Sequence, residues 1–226
     1  MSQTQSQLAL DLGQREAFGQ EDFLVAPCNE EVVAWLDRWP DWPGRGLIIH
    51  GPAGCGKTHL AHVYQTIAGA RVVQAQIIGQ VDAYALSAHV VVEDVDSSIE
   101  ELAFLHLYNS AVERGGSVLI TSQVPPSSWQ FGLPDLQSRL NALGSGAVGL
   151  PDDTLLAAVL VKLLADRQLK VGEEVVSYLL RHMERSFQAA RDIVSALDDA
   201  SLAVRREITV PLARQLLERH QDLERE

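Results

Sequence analysis

The chain has 226 residues, 46% of them hydrophobic, which allows one large folded domain or a medium-sized domain with a small partner. No apolar run reaches the ~18 to 20 residues that cross a bilayer, and the start lacks the features of a signal peptide, so we expect a cytoplasmic protein with no membrane contact. The formal net charge of −12, without a lysine or arginine cluster, argues against direct tight binding to DNA.

Residues 1–17 are predicted to form a flexible tail with an unusual pattern. Within it, the stretch QLALDL at 7–12 places leucines at alternate positions among small, polar and charged neighbours. Exposed leucines are unfavourable in water, so some surface is expected to bury them. That surface is either a groove on another protein or the chain's own folded part, on which the tail would pack as a terminal strand or helix.

From residue 47 onward, short runs rich in valine and isoleucine alternate with longer helical segments. Four runs have the apolar character of strands buried on both faces, and a weaker fifth follows: 47–50, 71–76, 89–94, 117–122 and 146–150. The segment 100–115 is predicted to be a helix whose apolar face contains Leu102, Leu105, Tyr108 and Val112. This alternation predicts an α/β fold with a doubly wound parallel sheet.

The first predicted strand leads directly into GPAGCGKT, residues 51–58, which matches the phosphate-loop motif GxxxxGK[ST] in full. Its glycines let the backbone curl so that successive N–H groups face phosphate oxygens. Lys57 supplies a charge to the β- and γ-phosphates, and Thr58 supplies a hydroxyl to Mg²⁺. The motif predicts a site for a nucleoside triphosphate or diphosphate. The candidate residues are Gly51, Pro52, Ala53, Gly54, Cys55, Gly56, Lys57, Thr58 and His59.

Two carboxylates follow the third predicted strand, in VVVEDVD. Acids at the carboxyl end of a strand beside the phosphate loop are placed to hold Mg²⁺ and the attacking water. We assign Glu93 to the metal and Asp94 to polarising the water, and Gln123, after the next strand, to orienting that water. The alternative is a pair of solvated turn carboxylates without a ligand.

After residue 150 the pattern becomes purely helical. Apolar residues at three- and four-residue steps predict helices within 155–164, 175–183 and 187–197, and Thr209 with Pro211 begins a short last helix. We therefore predict an α/β nucleotide-binding domain over 18–150 and a small all-helical lid domain over 151–226.

The order of these features resembles AAA+ P-loop ATPases, in particular the clade of DnaA and its paralogue Hda. The resemblance covers about 18–220 and rests on FLVAPCNEEVVAWL, GKTHLAH and LPDLQSRL. The resemblance implies that the protein binds ADP or ATP with Mg²⁺ and hydrolyses ATP only weakly by itself. It is compatible with a homo-oligomer. In AAA+ proteins an arginine in the SRL-like position reaches the nucleotide of a neighbouring subunit, and Arg139 occupies this position.

Within the clade, the resemblance is to the Hda type. The chain ends soon after ITVP, so we expect it to lack the DNA-binding domain that follows the lid in DnaA. Hda-type proteins carry a short N-terminal motif that docks on the sliding clamp, the β subunit of the replicase, and QLALDL resembles it. The resemblance therefore assigns four tail residues to clamp binding: Gln7, Leu8, Leu10 and Leu12.

Two positions depart from the clade's pattern. Aligning the lid without gaps from LDDASL to ITVP places Gln188 where the clade has an arginine that senses the nucleotide. Arg185 and Arg191 lie three residues to either side, one helical turn away, so both are candidates for contacting the nucleotide. Glu93 stands where initiator-type strands more often have aspartate, which changes the expected metal geometry.

The resemblance implies a clamp-tethered negative regulator of replication initiation, whose Arg139 stimulates hydrolysis of DnaA-bound ATP to give inactive ADP-DnaA. Such a protein acts mainly as an activator of its partner's ATPase. The alternative is a nucleotide-switched adaptor or loader that recruits DnaA or a helicase without stimulating hydrolysis. A clamp-binding tail favours the first hypothesis, because a helicase loader has no use for the clamp. An autonomous ATPase acting on DNA is disfavoured by the acidic charge.

Overall fold

The structure is a computed structural model that describes residues 25–204 and 208–223, so the predicted clamp motif at 7–12 lies outside it. Its centre is a parallel sheet with strand order β2-β3-β4-β1-β5. The strands are Gly46–His50 (β1), Arg71–Gln74 (β2), Val90–Glu93 (β3), Val118–Ser122 (β4) and Gly144–Ala147 (β5).

Helices cover both faces of this sheet. They are Glu30–Asp37 (α1), Lys57–Ala68 (α2), Glu101–Glu113 (α3) and Pro134–Asn141 (α4). Ile48 and Ile120 point into the core shared with α3 and α4. Their neighbours Leu47 and Leu119 point into the core shared with α1 and α2. Because successive strand residues face opposite sides, this alternation requires two apolar layers, and it confirms the predicted doubly wound parallel sheet.

The fifth strand lies earlier than predicted, at Gly144–Ala147 instead of 146–150. Helix α1 packs directly on it: a Cβ atom at Gly144 would come within 3.0 Å of the Trp35 ring, and one at Gly146 within 2.9 Å of a Val32 methyl group. The strand is therefore built from small residues with no apolar side chain to bury. For that reason its sequence, GSGA, carries no hydrophobic pattern from which it could be located.

Helix α3 forms where predicted, but its predicted apolar face is partly wrong. Leu102 is 56% exposed, whereas Phe104, Leu107 and Ala111 are buried along with the predicted Tyr108. The segment is apolar over so much of its circumference that its periodicity permits two adjacent faces. Packing against the sheet selects the stripe that starts at Phe104.

Four further helices form the all-helical lid: Asp153–Asp166 (α5), Glu173–His182 (α6), Phe187–Val204 (α7) and Val210–Leu223 (α8). Asp152 caps α5, since its Oδ1 accepts a hydrogen bond from the Leu155 N–H at 2.8 Å. The apolar faces of the lid helices form a cluster distinct from the two cores of the sheet. Over the described ranges, no helix combines the length and apolar character needed to cross a bilayer. The domain limits at 18–150 and 151–226 stay predictions.

A hydrogen-bonded cluster around Ser117 lies at the amino ends of β3 and β4, away from the phosphate loop. Trp39 Nε1 donates to Ser117 Oγ at 3.0 Å, and Tyr64 Oη lies 2.8 Å from the same atom. His89 Nδ1 lies 2.9 Å from it on the third side. An indole N–H can only donate, so the Ser117 proton is available to a neutral His89. Burial lowers the pKa of His89 and raises the pKa of Tyr64 to about 12.

We expect the protein to lose stability as the pH falls below about 6.5, and His89→Asn to weaken this dependence. The pKa of His89 is lower in the folded chain than in the unfolded one, so between the two values the unfolded chain binds the extra proton and unfolding is favoured. The effect should stay below ~1 kcal/mol because the ring is only half-buried. Urea unfolding at pH 7.5 and 5.5 measures it. The exposed His106→Asn is the control and should behave like the parent; an unchanged dependence in His89→Asn would contradict the assignment.

Candidate nucleotide-binding site

The loop after β1 has the curled backbone that its glycines predict. Gly54 and Gly56 adopt left-handed φ angles of +70° and +102°, which other residues rarely adopt. A Cβ atom at Gly51 would lie 2.1 Å from the carbonyl oxygen of Val148, just after β5. Helix α2 begins at Lys57, so its unpaired N–H groups and the positive end of its dipole face the loop. This arrangement is an anion-binding site built from backbone.

Lys57 lies inside the curl of the loop. Its side chain is 7% exposed, and its ammonium group donates to the carbonyl oxygens of Gly51 and Pro52, both at 2.8 Å. Burial raises the pKa of the adjacent Cys55 thiol, an effect that the Lys57 charge opposes. The ammonium group is therefore the charged group of the loop interior, poised to exchange carbonyl partners for phosphate oxygens.

A cavity of about 560 Å³ opens beside the loop, and we call it the polar end of the groove. The loop, the first turns of α2, the carboxyl ends of β3 and β4 and the start of α7 all contribute to it. Its lining residues are Ala53, Gly54, Gly56, Lys57, Thr58, His59, His62, Asp94, Gln123, Gln188 and Arg191. The structure thus brings most of the predicted loop residues together with Asp94, Gln123 and two of the three lid candidates.

A second cavity of about 270 Å³ forms the apolar end of the groove, beneath the lid. Gly56, His59 and Arg191 line both cavities, so the two lie side by side and together form the groove. The walls of the apolar end include Cys55, Leu60, Leu155, Val159, Leu163 and Phe187. A groove with one apolar and one cationic end fits a nucleotide, with the base under the lid and the phosphates at the loop.

Sequence reasoning missed the lid residues that line the apolar end. Leu155, Val159 and Leu163 belong to one predicted apolar face, and their spacing is that of an ordinary core helix. The signal available in the sequence is that this apolar face is wide enough to contact two different surfaces. Helix α5 buries Leu156, Leu160 and Leu164 in the lid core, whereas Leu155, Val159 and Leu163 line the groove, the last two also packing against the edge of that core. Only the packing of lid against loop separates the two sets.

The two carboxylates after β3 have different surroundings. Glu93 is 6% exposed, and its Oε2 accepts a hydrogen bond from Gln74 Nε2 at 2.8 Å. Its Oε1 is buried and has no hydrogen-bond partner among the described residues. Asp94 is exposed and lines the polar end, because a left-handed φ of +56° turns the chain there and the Asp94 N–H donates to Thr121 Oγ1. Gln74 gave no signal in the sequence, since only the pairing of β2 with β3 brings it to Glu93.

The donor set fits a magnesium ion. A buried carboxylate oxygen without a donor is satisfied by a cation or by a water of its shell, and Glu93 Oε1 is such an oxygen. Among the residues described, no three histidine, cysteine or acidic side chains are grouped for a metal. A Mg²⁺ ion does not require such a group, since it binds through one or two protein oxygens together with phosphates and water. Glu93 does not itself line the groove, so its role, like that of Thr58, stays a prediction.

Arg139 lies away from the groove and lines neither end of it. Its exposed side chain on α4 pairs with Asp135, Nε to Oδ1, at 3.1 Å. Its charge also opposes the rise in the pKa of Tyr108 that burial causes. Tyr108 in turn donates to the carbonyl oxygen of Gly44, which precedes β1. Arg139 is therefore near the amino end of β1, whereas the phosphate loop follows the carboxyl end.

The start of α7 contacts the phosphate loop directly. The Phe187 N–H donates to the carbonyl oxygen of Gly54 at 3.0 Å. Gln188 and Arg191 follow on α7 and line the polar end, but Arg185 does not: it pairs with Asp153 at 3.1 Å and lines a different cavity. The predicted one-turn spacing fails for Arg185 because α7 begins only at Phe187.

Comparisons with known proteins agree with this description. Residues 153–217 match the family model of the Hda lid domain. The fold is similar to domain III of the Thermotoga maritima replication initiation protein DnaA, at 20% identity over 87% of this chain and 93% of that one, with a TM-score of 0.75. AMPPCP-bound DnaA from Aquifex aeolicus matches at 16% identity over 95% and 71%, with a TM-score of 0.68. The Thermotoga maritima RuvB Holliday junction branch migration motor matches at 13% identity over 77% and 61%, with a TM-score of 0.60.

The fold and the loop define an AAA+ P-loop protein: a parallel sheet that carries a phosphate loop after β1, followed by a helical lid. The lid match and the DnaA-like neighbours narrow this class. The lid segment 153–217 matches the Hda lid domain, and the whole fold is similar to that of DnaA, in agreement with the resemblance that the sequence carries.

Proposed function

We propose that this protein is an Hda-type regulator of bacterial replication initiation that stimulates hydrolysis of the ATP bound to DnaA. The observation that carries the proposal is the position of Arg139, an exposed guanidinium remote from its own groove in a chain with an Hda-type lid. Such a group cannot act on its own nucleotide but can reach that of a neighbour. There it would neutralise charge on the transferred phosphoryl group.

Helix α4 presents Arg139 rigidly. Both carboxylate oxygens of Glu101 accept hydrogen bonds from the chain that leads into α4, from Gly132 N–H at 2.8 Å and Leu133 N–H at 2.6 Å. Leu136 and Leu140 bury the inner face of the helix completely. Anchoring the helix fixes the backbone from which Arg139 extends, and such positioning favours a transition-state contact.

The protein's own groove would hold ADP or ATP. The Aquifex aeolicus DnaA structure, which has the same fold, contains AMPPCP, and this supports an adenine nucleotide here. Lys57 and the loop N–H groups would bind the phosphates, while Thr58 and Glu93 would hold Mg²⁺, which screens phosphate charge when bound. Asp94 and Gln123 would orient a water. We expect slow hydrolysis by a single copy, because Arg139 does not reach its own groove; a second copy could supply it.

The decisive experiment follows ATP on DnaA. DnaA preloaded with labelled ATP is mixed with the protein in the presence or absence of clamp loaded on DNA, and conversion to ADP is read out over time. We expect rapid conversion only when both the protein and the loaded clamp are present. Recruitment of DnaA without faster hydrolysis would instead support the adaptor or loader alternative.

The clamp tether gives a separate prediction. Replacing Gln7, Leu8 and Leu12 with alanine should eliminate clamp binding, because a glutamine anchor and leucine side chains are what a peptide-binding groove recognises. Nucleotide affinity should be unchanged. A pull-down with purified clamp tests this, with alanines at Gln3 and Gln5 as the matched control. If the triple variant binds clamp as well as the parent, the leucines serve another surface and the proposed tether is wrong.

A further inference from the structure

Three side chains on the first turns of α7 form a hydrogen-bonded relay, which we call the lid relay: Gln188, Arg191 and Asp192. Arg191 Nη2 donates to Gln188 Oε1 at 2.8 Å. Gln188 Nε2 donates to Asp192 Oδ1 at 2.7 Å. The spacings of three and four residues place all three on one side of the helix. Gln188 and Arg191 of this relay line the polar end of the groove.

The chemistry of the relay decides which way the Gln188 amide faces. An ionised carboxylate can only accept hydrogen bonds, so the amide NH₂ group must face Asp192. The amide oxygen then faces Arg191, whose guanidinium can only donate. This pairing commits the Gln188 oxygen to Arg191 and one of its N–H groups to Asp192, and the amide carries no charge to offer a phosphate. It cannot replace a phosphate-binding arginine directly, but it can hold one.

Arg191 occupies the position in the groove where a lid cation has the greatest effect. It lines both the polar and the apolar end, and so lies where the base and the phosphates of one nucleotide would meet. The helix that carries it is attached to the phosphate loop through the Phe187 to Gly54 hydrogen bond and the contact of Phe187 with Gly56. A positive charge on this helix, when it binds phosphates held in the loop, therefore fixes the position of the lid relative to the loop.

We propose that Arg191 is the lid residue that binds the phosphate chain, and that Gln188, oriented by Asp192, is its positioning residue. A guanidinium presents several donors in a fixed plane, which suits phosphate oxygens. Arg191 would cross-link lid and loop only when phosphates are present. The inference rests on the proposed nucleotide site, but on neither the clamp nor DnaA.

The test measures equilibrium binding of labelled ADP and ATP to the purified full chain. Arg191→Ala should weaken binding ~10- to 100-fold, the size expected for losing charge-assisted hydrogen bonds. Gln188→Ala should weaken it only ~2- to 5-fold, since exposed charged contacts contribute little. The double variant should bind like Arg191→Ala alone, because Gln188 acts through Arg191. Arg181→Ala, a lid arginine outside the groove, is the control and should bind like the parent.

Each other outcome overturns the inference. Parent-like binding by Arg191→Ala removes it from the site, and an equal loss in Arg185→Ala gives the role to that arginine. Losses that multiply in the double variant show that Gln188 acts independently of Arg191. Lys57→Ala distinguishes a wrong role for Arg191 from a wrong nucleotide site. If Lys57→Ala also binds nucleotide like the parent, the groove is not the nucleotide site. Melting temperatures without nucleotide, equal among variants, exclude misfolding as the cause.

Discussion

Lys57→Ala is expected to abolish binding of both ADP and ATP, with a loss of at least ~100-fold in affinity. The ammonium group lies inside the loop, 2.8 Å from the carbonyl oxygens of Gly51 and Pro52, and the loop is otherwise made of backbone dipoles. Hydrogen bonds to a charged group contribute about 1.5–3 kcal/mol each, and every ~1.4 kcal/mol is tenfold in affinity. Losing two such bonds to phosphate accounts for the expected effect.

The same substitution removes the contacts that tie the curl together in the absence of phosphate. We therefore expect the loop to loosen as well, which adds to the loss of affinity. Equilibrium binding of labelled nucleotides measures the change, and Lys170→Ala, an exposed lysine that lines neither end of the groove, is the matched control. Near-parent affinity in Lys57→Ala would mean that the phosphates bind elsewhere.

Arg139→Ala is expected to reduce the stimulated hydrolysis of DnaA-bound ATP by at least ~10²-fold while leaving other activities intact. Inserted arginines contribute about 10³- to 10⁵-fold to hydrolysis in other NTPases. Nucleotide binding should survive, because Arg139 lines neither end of the groove. Clamp binding should survive because it is proposed to lie in the tail. In an ATPase whose arginine acts on its own nucleotide, by contrast, nucleotide binding and hydrolysis would be lost together.

Stability should change little in this variant. The Arg139–Asp135 pair is exposed and follows the i,i+4 spacing, and such pairs contribute about 0.3–0.5 kcal/mol. Arg214→Ala is a matched control, since Arg214 forms the same type of exposed pair with Glu218 on α8. Arg139→Lys keeps the charge but loses the planar fork, so it should recover only part of the rate.

The measurement uses DnaA preloaded with labelled ATP, loaded clamp and equal concentrations of parent or variant protein. If Arg139→Ala stimulates hydrolysis like the parent, the arginine has no part in the mechanism. Contact alone would then change DnaA, which is the adaptor alternative. If Arg214→Ala loses stimulation equally, the effect is a general loss of positive charge.

Much of this molecule could be predicted because its signals are local. The phosphate loop is contiguous, and GPAGCGKT specifies its turns and its cation within eight residues. Strands such as VVV at 90–92 are continuously apolar, so that a strand buried on both faces is the structure that fits them. The resemblance to the DnaA/Hda clade rested on the same local motifs, and it agrees with the Hda lid match over 153–217 and with the DnaA-like fold.

Other features required the tertiary structure, because they depend on residues that are distant in the chain. The strand GSGA has no side-chain signal and exists where α1 leaves room for glycine. Gln74 reaches Glu93 only through the pairing of β2 with β3.

The lid candidates show the same limit. By spacing in the sequence, Arg185 and Arg191 are equivalent neighbours of Gln188, one helical turn to either side. Helix α7 begins only at Phe187, however, so Arg191 lies on the helix and Arg185 precedes it. Arg185 is consequently drawn to Asp153 and Arg191 to the groove. Local sequence thus determines the propensity of a segment and the chemistry of its side chains. Which of two similar side chains meets the ligand depends on where a helix starts and what packs against it, and these are properties of the whole fold.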